Sequence, residues 1–257
     1  MKRFKTPTAS NLTMRLKLFC AAALLSATSG LMAAGGYEGL ESSGINVQDI
    51  ASLQRGAGLF MNYCHSCHSA EYMRYQRLAQ DLELPEEMVE ENLIYGDREI
   101  TDYMIAAMPD NSSDWFGKKP PDLTLKARSR GPDWIYTFLK SYYLTDEGWN
   151  NKILANSAMP NVLWQLQGIQ RPVVETYEDD TGVSHSEVTA LELEQAGLQT
   201  PEEFEQTIRD ITAFLEYMAE PVILERERMG IWVLLFLVIF TFAAWLLYHE
   251  YWKDVKK

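Results

Sequence analysis

Two cysteines three positions apart, with a histidine directly after the second, constrain this chain more than any other feature. They form the run Cys64-His65-Ser66-Cys67-His68, and C-x-x-C-H is the covalent attachment pattern of a c-type haem. Thiols at that spacing reach the two vinyl groups along one porphyrin edge. The next residue swings its imidazole under the iron as the proximal ligand. A disulfide and half of a zinc site are the competing readings. The chain has 3 cysteines, and Cys20 lies in an apolar stretch near the start, so only Cys64 and Cys67 remain for the body of the protein. Zinc would need two more strong ligands, and outside this run no further C-x-x-C or H-x-x-H occurs. Haem attachment uses both thiols and His68 with nothing left over.

The two ends of the chain decide where such a haem would sit. Lys2, Arg3, Lys5, Arg15 and Lys17 precede an apolar stretch from Leu18 to Leu31, which gives way to Ala33, Ala34, Gly35 and Gly36. That order of basic, apolar and small residues reads as a signal peptide over 1–34. Near the other end, Gly230 to Tyr248 carries no charge and is long enough to cross a hydrocarbon core of about 30 Å. Trp232, Trp245, Tyr248, Tyr251 and Trp252 lie near its ends, where aromatic rings favour the headgroup region. Lys253, Lys256 and Lys257 follow it, and positive charge tends to stay cytoplasmic. The expected organisation is therefore an exported, periplasmic haem domain over 35–221, a juxtamembrane linker over 222–229, a membrane helix over 230–248 and a cytoplasmic tail over 249–257. The membrane would be the bacterial inner membrane, crossed once.

The exported part reads as mainly α, with long loops and one small β-hairpin. Asn46 is placed to cap a helix whose apolar positions Ile50, Leu53, Ala57, Phe60 and Met61 lead into Cys64. Gly56 and Gly58 inside it favour a close helix crossing. Pro85 is expected to open a helix running through Tyr95, and Ile100–Met108 and Asp133–Leu144 read as two more. Thr200-Pro201-Glu202-Glu203 is a helix start with a capping box, followed by a stripe of Phe204, Ile208, Ile211, Leu215 and Met218. Pro221 marks a break before the membrane segment. Between Val173 and Val188, the residues around Asp179-Asp180-Thr181-Gly182 suggest the hairpin.

The sixth iron ligand is less constrained. His65 is trapped in the attachment loop, His249 lies beyond the span, and His185 in the hairpin is the remaining histidine. Met61, Met73, Met88, Met104 and Met218 fall on helical stripes, where methionine usually fills core. Met108 and Met159 each precede a proline and read as loop residues. Residue chemistry favours Met159, which is followed by the apolar cover of Val162, Leu163 and Trp164, and leaves Met108 open. A thioether prefers ferrous iron and suits a one-electron carrier.

Longer stretches then match a known family. They are Ala51–Leu78 around the attachment site, Pro120–Arg128 (PPDLTLKAR), Ala158–Pro160 (AMP) and Phe214–Pro221 (FLEYMAEP), in order along the chain. The chain resembles bacterial cytochrome c1, the haem subunit of quinol–cytochrome c reductase (the bc1 complex). The resemblance implies a cytochrome c-like domain with one covalently attached haem c and Met159 as the methionine ligand opposite His68. It also implies that Arg128 pairs with a haem propionate and that Pro120 and Pro121 pack near the ring. Trp134 stands where the family often has a tyrosine near the propionates, so no hydroxyl is offered there. Cytochrome b and the Rieske iron–sulfur subunit would be partners in the complex, with lipid around the anchor.

Net charge is −13, which argues against nucleic-acid binding. Ten acidic residues between Glu175 and Glu205 suit an encounter with a basic, soluble c-type cytochrome. The expected role is a relay of single electrons from the Rieske protein to that acceptor, with no catalytic side chain of its own. A tethered monohaem cytochrome serving another oxidase or reductase, and an open-site haem sensor or peroxidase, are the alternatives.

Overall fold

The computed structural model describes residues 39–178 and 182–254. The expected signal peptide, Asp179, Asp180, Thr181 and the last two lysines lie outside the described residues. In chain order the elements are α1 (Ile50–Tyr63), β1 (Ala70–Arg74), α2 (Tyr75–Asp81), α3 (Glu86–Leu93), β2 (Tyr103–Met104), α4 (Ser113–Phe116), α5 (Lys126–Arg130), α6 (Pro132–Lys140), β3 (Tyr142–Thr145), β4 (Gly148–Asn151), α7 (Trp164–Gln167), β5 (Gly168–Glu178), β6 (Ser184–Ala196), α8 (Pro201–Ala219) and α9 (Ile223–Tyr251). Helices dominate, and the strands pair only as β1–β2, β3–β4 and β5–β6, each antiparallel.

The core forms where α1, α5 and α6 pack on α8. Leu53, Gly56, Ala57, Phe60 and Met61 line the buried side of α1, at the spacing that puts one helical face inward. Asp49, not Asn46, caps this helix, accepting from the Ser52 amide at 3.1 Å. Asn46 instead closes a turn one step earlier by accepting from the Gln48 amide. Helix α8 begins on the expected capping box of Thr200 and Glu203, and its stripe from Phe204 to Met218 is buried. The crossing of α1 and α8 is close because Gly56 has no side chain: a Cβ there would lie 2.1 Å from the Asp210 carbonyl oxygen. Buried Asp210 then accepts from Ser52 Oγ (2.6 Å), Arg55 Nε (2.7 Å) and Gln206 Nε2 (2.9 Å).

Two expected helices give way to strands. Ile100–Met108 is not helical; Tyr103–Met104 pairs with β1, Ala70 facing Met104. Met104 is buried and Tyr103 exposed, so the pair follows strand alternation, and the Arg74 guanidinium lies 3.9 Å over the Tyr103 ring. Asp133–Leu144 is helical only to Lys140, after which Tyr142–Thr145 turns back on Gly148–Asn151. The aromatic pair Tyr142-Tyr143 has high strand propensity, and Gly148 at φ +125° makes the return. The expected hairpin is present but longer, with strands of 11 and 13 residues.

Helix α9 spans 29 residues, about 44 Å at 1.5 Å per residue. It is exposed on every side through its apolar part, and it is long and apolar enough to cross a membrane. The residues expected to link domain and span are its first turns, and Pro221 separates it from α8.

Candidate metal centre

The attachment motif sits where α1 runs out. Cys64 caps the helix, its amide bonded to the Phe60 carbonyl at 2.9 Å, and the His68 amide turns back to the Cys64 carbonyl at 2.9 Å. The motif is thus a single turn hung from a buried helix end. Cys64 and Cys67 are both free thiols. Burial, with Cys67 beside it, pushes the Cys64 thiol up to about 12, whereas the C-x-x-C thiol of a disulfide oxidoreductase is lowered.

His68 is the best-determined residue of the site. Its Nδ1 lies 2.7 Å from the Pro121 carbonyl oxygen, so Nδ1–H donates there and Nε2 is left with its lone pair. Burial holds this imidazole below the usual histidine range, against the opposing pull of the Pro121 bond. A neutral imidazole with one nitrogen fixed by a backbone carbonyl is how proteins orient a metal-binding histidine. Pro121 is brought there by its own loop. The Leu123 amide bonds to the Ser69 carbonyl at 2.9 Å, and Asp122 accepts from the Glu71 and Thr124 amides. An open cavity of about 530 Å³ adjoins the motif, lined by Cys67, Ser69, Met108, Pro120 and Pro121. Two free thiols, an oriented neutral imidazole and this adjoining space fit a covalently held haem.

His65 faces away from that role. Its Nε2 is 3.2 Å from Tyr75 Oη and its Nδ1 3.3 Å from the His68 carbonyl, which locks the turn from inside. His185 is exposed on β6 and stacks on Tyr177 at 5.6 Å. Met61 and Met218 are buried on helices as expected, Met73 and Met104 are buried on strands β1 and β2 rather than on helical stripes, and Met88 is exposed. Met108 lies on the cavity wall with Pro120 and Pro121. Met159 belongs to the loop between β4 and α7 and packs, half-buried, against the core. Its carbonyl accepts from Tyr142 Oη at 3.1 Å.

The remaining expected residues lie on α5 and α6. Arg128 is largely exposed, 66 % by side chain, with its guanidinium 3.7 Å from Glu220. Trp134 is buried, stacked on Phe138 at 4.9 Å, and Arg130 lies 5.2 Å over its ring. Sequence reasoning missed Tyr142 and the use made of the Pro121 carbonyl. A backbone acceptor leaves no side-chain signal, and Tyr142 sat inside what read as a helix.

Comparison with known proteins matches residues 41–255 to the Cytochrome C1 family. The chain belongs to the cytochrome c1 family. Cytochrome c1 of Allochromatium vinosum is 49% identical over 93% of this chain and 99% of its own length. A protein of Nitrosomonas europaea named as the ammonia monooxygenase gamma subunit is 37% identical over 94% of this chain and 100% of its own. Cytochrome c1 of Rhodospirillum rubrum is 25% identical over 81% and 83%. As a member of that family, the protein binds haem and is a membrane-anchored electron-transfer subunit of a bc1 complex, beside cytochrome b and Rieske subunits. It is not an enzyme on its own.

Proposed function

We propose that the protein carries one haem c, which Cys64 and Cys67 would hold covalently and His68 and Met159 would ligate, and relays single electrons from the Rieske protein to a soluble c-type cytochrome. The observation that carries this reading is the 2.7 Å bond from His68 Nδ1 to the Pro121 carbonyl, which presents Nε2 as a ligand beside two free thiols. The haem supplies the one-electron chemistry, and a methionine opposite histidine favours the reduced state. The protein holds, orients and dries the site.

Met159 is favoured over Met108 because Ala158-Met159-Pro160 matches the methionine segment of the cytochrome c1 family and lies in a loop packed against the core. Met108 lies with Pro120 and Pro121 on the cavity wall. Pro120 and Pro121 form the proximal wall. The exposed Arg128 exchanges its long contact with Glu220 for a propionate, a stronger bidentate partner, and Trp134 offers apolar cover nearby. The basic leader and Lys253 support a periplasmic haem domain with a cytoplasmic tail.

In the assembled complex, Met159→Leu is expected to keep covalent haem while losing the long-wavelength charge-transfer band of Met–Fe(III) and electron transfer to the acceptor. A band that persists would hand the ligand role to Met108. Association with the soluble acceptor is expected to slow as ionic strength rises; rates flat in salt would remove the acidic surface from the account. The relative named as a monooxygenase subunit supports a second reading, the same haem domain serving another membrane complex. Gentle purification with mass spectrometry separates the two: co-purifying cytochrome b and Rieske chains support the first, and their absence the second.

A further inference from the structure

The loop that carries Met159 is tied down at several points, most of them ordinary loop anchors. At its entry, buried Asn151 accepts from the Ile153 and Leu154 amides at 2.9 and 3.0 Å, and its Nδ2 donates to the Phe138 carbonyl at 2.8 Å. At its exit, buried Asn161 accepts from the Leu163 amide at 3.0 Å and donates to Gln167 Oε1 at 2.6 Å. Between them the chain passes through Asn156 at φ +58°, whose amide donates to Asn150 Oδ1 at 2.8 Å. A further tie falls on Met159 itself, whose carbonyl receives the Tyr142 hydroxyl at 3.1 Å.

Tyr142 is built to hold that position. Its side chain is 1 % exposed, and its ring meets Phe138 edge-on at 5.2 Å, with Phe138 in turn stacked on Trp134. Its backbone is fixed in register opposite Asn151, and its carbonyl accepts from Gln170 Nε2 at 2.9 Å. A rigid ring thus delivers one proton to the peptide of the residue whose side chain must reach the metal.

We propose that Tyr142 is the positioning residue of the sixth ligand: its hydroxyl holds the Met159 peptide and sets the reach of the thioether. The inference rests on Met159 as that ligand. Without the hydroxyl the peptide is free to shift, and the thioether yields more readily to a competing ligand. The Tyr142 ring and backbone keep their own contacts without the hydroxyl, which besides the Met159 carbonyl meets only Ser157 of the same loop among the described residues.

The test uses the full-length, haem-loaded protein in its complex, titrated with imidazole in the ferric state. Tyr142→Phe is expected to retain covalent haem, weaken the Met–Fe(III) band, and bind imidazole about fivefold more tightly, the worth of one net hydrogen bond. Tyr143→Phe, which removes a hydroxyl from the neighbouring residue, is expected to match wild type. Site-specific 3,5-difluorotyrosine in place of Tyr142, a stronger donor of nearly the same shape, is expected to weaken imidazole binding, and it tests the bond even if the phenylalanine variant folds poorly. Wild-type imidazole affinity in both position-142 variants, with the band lost in Met159→Leu, overturns the positioning role and leaves the ligand in place. A band that survives Met159→Leu overturns both.

Discussion

Helices α1 and α8 meet backbone to backbone across Gly56, whereas β5 and β6 form a two-stranded ribbon with most of its side chains in solvent. The crossing buries its one acid, Asp210, at 3 % exposure, and surrounds it with Ser52, Arg55 and Gln206. The ribbon sets Glu175 directly opposite Glu187, a like-charge pair that opposes strand pairing. Among the described residues it is tied in through Gln170 to the Lys140 and Tyr142 carbonyls, through Arg171 to Leu144, and midway along through Lys152 Nζ to the Thr189 carbonyl. A single acid is therefore a structural commitment in one region and an adjustable surface charge in the other. The crossing carries the attachment turn on its end, which is why the close packing lies there.

The largest test of that contrast is Gly56→Ala. The new methyl would sit 2.1 Å from the Asp210 oxygen and 2.7 Å from Phe214 Cβ, neither of which can retreat. A loss of about 3 kcal/mol is expected in denaturant unfolding of the haem-loaded protein; unchanged stability would mean that the helices do not touch there. Asp210→Ala comes next, at about 2–3 kcal/mol, because it strands three donors at once. Arg55→Ala should cost less, about 1 kcal/mol, since that side chain is 52 % exposed and Asp210 keeps two other donors. Equal losses from the two variants would contradict a desolvated acid at the crossing.

Smaller effects sharpen the comparison. Glu216, near the end of α8, is raised by burial first and by Glu220 second, with Arg128 opposing. A carboxyl raised in the folded state contributes stability below its unfolded pKa, and that contribution is lost as pH rises through the folded value. Glu216→Gln is therefore expected to melt higher than wild type at neutral pH, with the gap closing in acid. A gap that widens in acid would reverse the sign. On the ribbon, Glu187→Lys replaces a repulsive pair with an attractive one, and should add about 0.5 kcal/mol without altering the haem spectrum.

What could be read along the chain was local. The capping box of Thr200 and Glu203, the α8 stripe, the long apolar helix and the Pro221 break all depend on neighbours within a turn or two. The same holds for the attachment turn, because C-x-x-C-H is a local geometry. Arg74 with Tyr103, and Tyr142 with Asn151, were not legible: each pair overrides a helical pattern through a partner beyond its own helical turn. Asn46 and Asp49 both carry cap-forming side chains, and Asp49 takes the cap while Asn46 closes the preceding turn.

The sequence by itself determined a single C-x-x-C-H run, an apolar segment near the C-terminus long enough for a membrane, and a mainly helical domain before it. Covalent spacing and hydrophobic periodicity act over a few residues and need no fold to be read. The tertiary structure alone decided which carbonyl orients His68, how closely α1 approaches α8, and that the Tyr142 hydroxyl reaches the Met159 peptide. Those contacts join segments separate in the chain, and their geometry exists only once the core has packed.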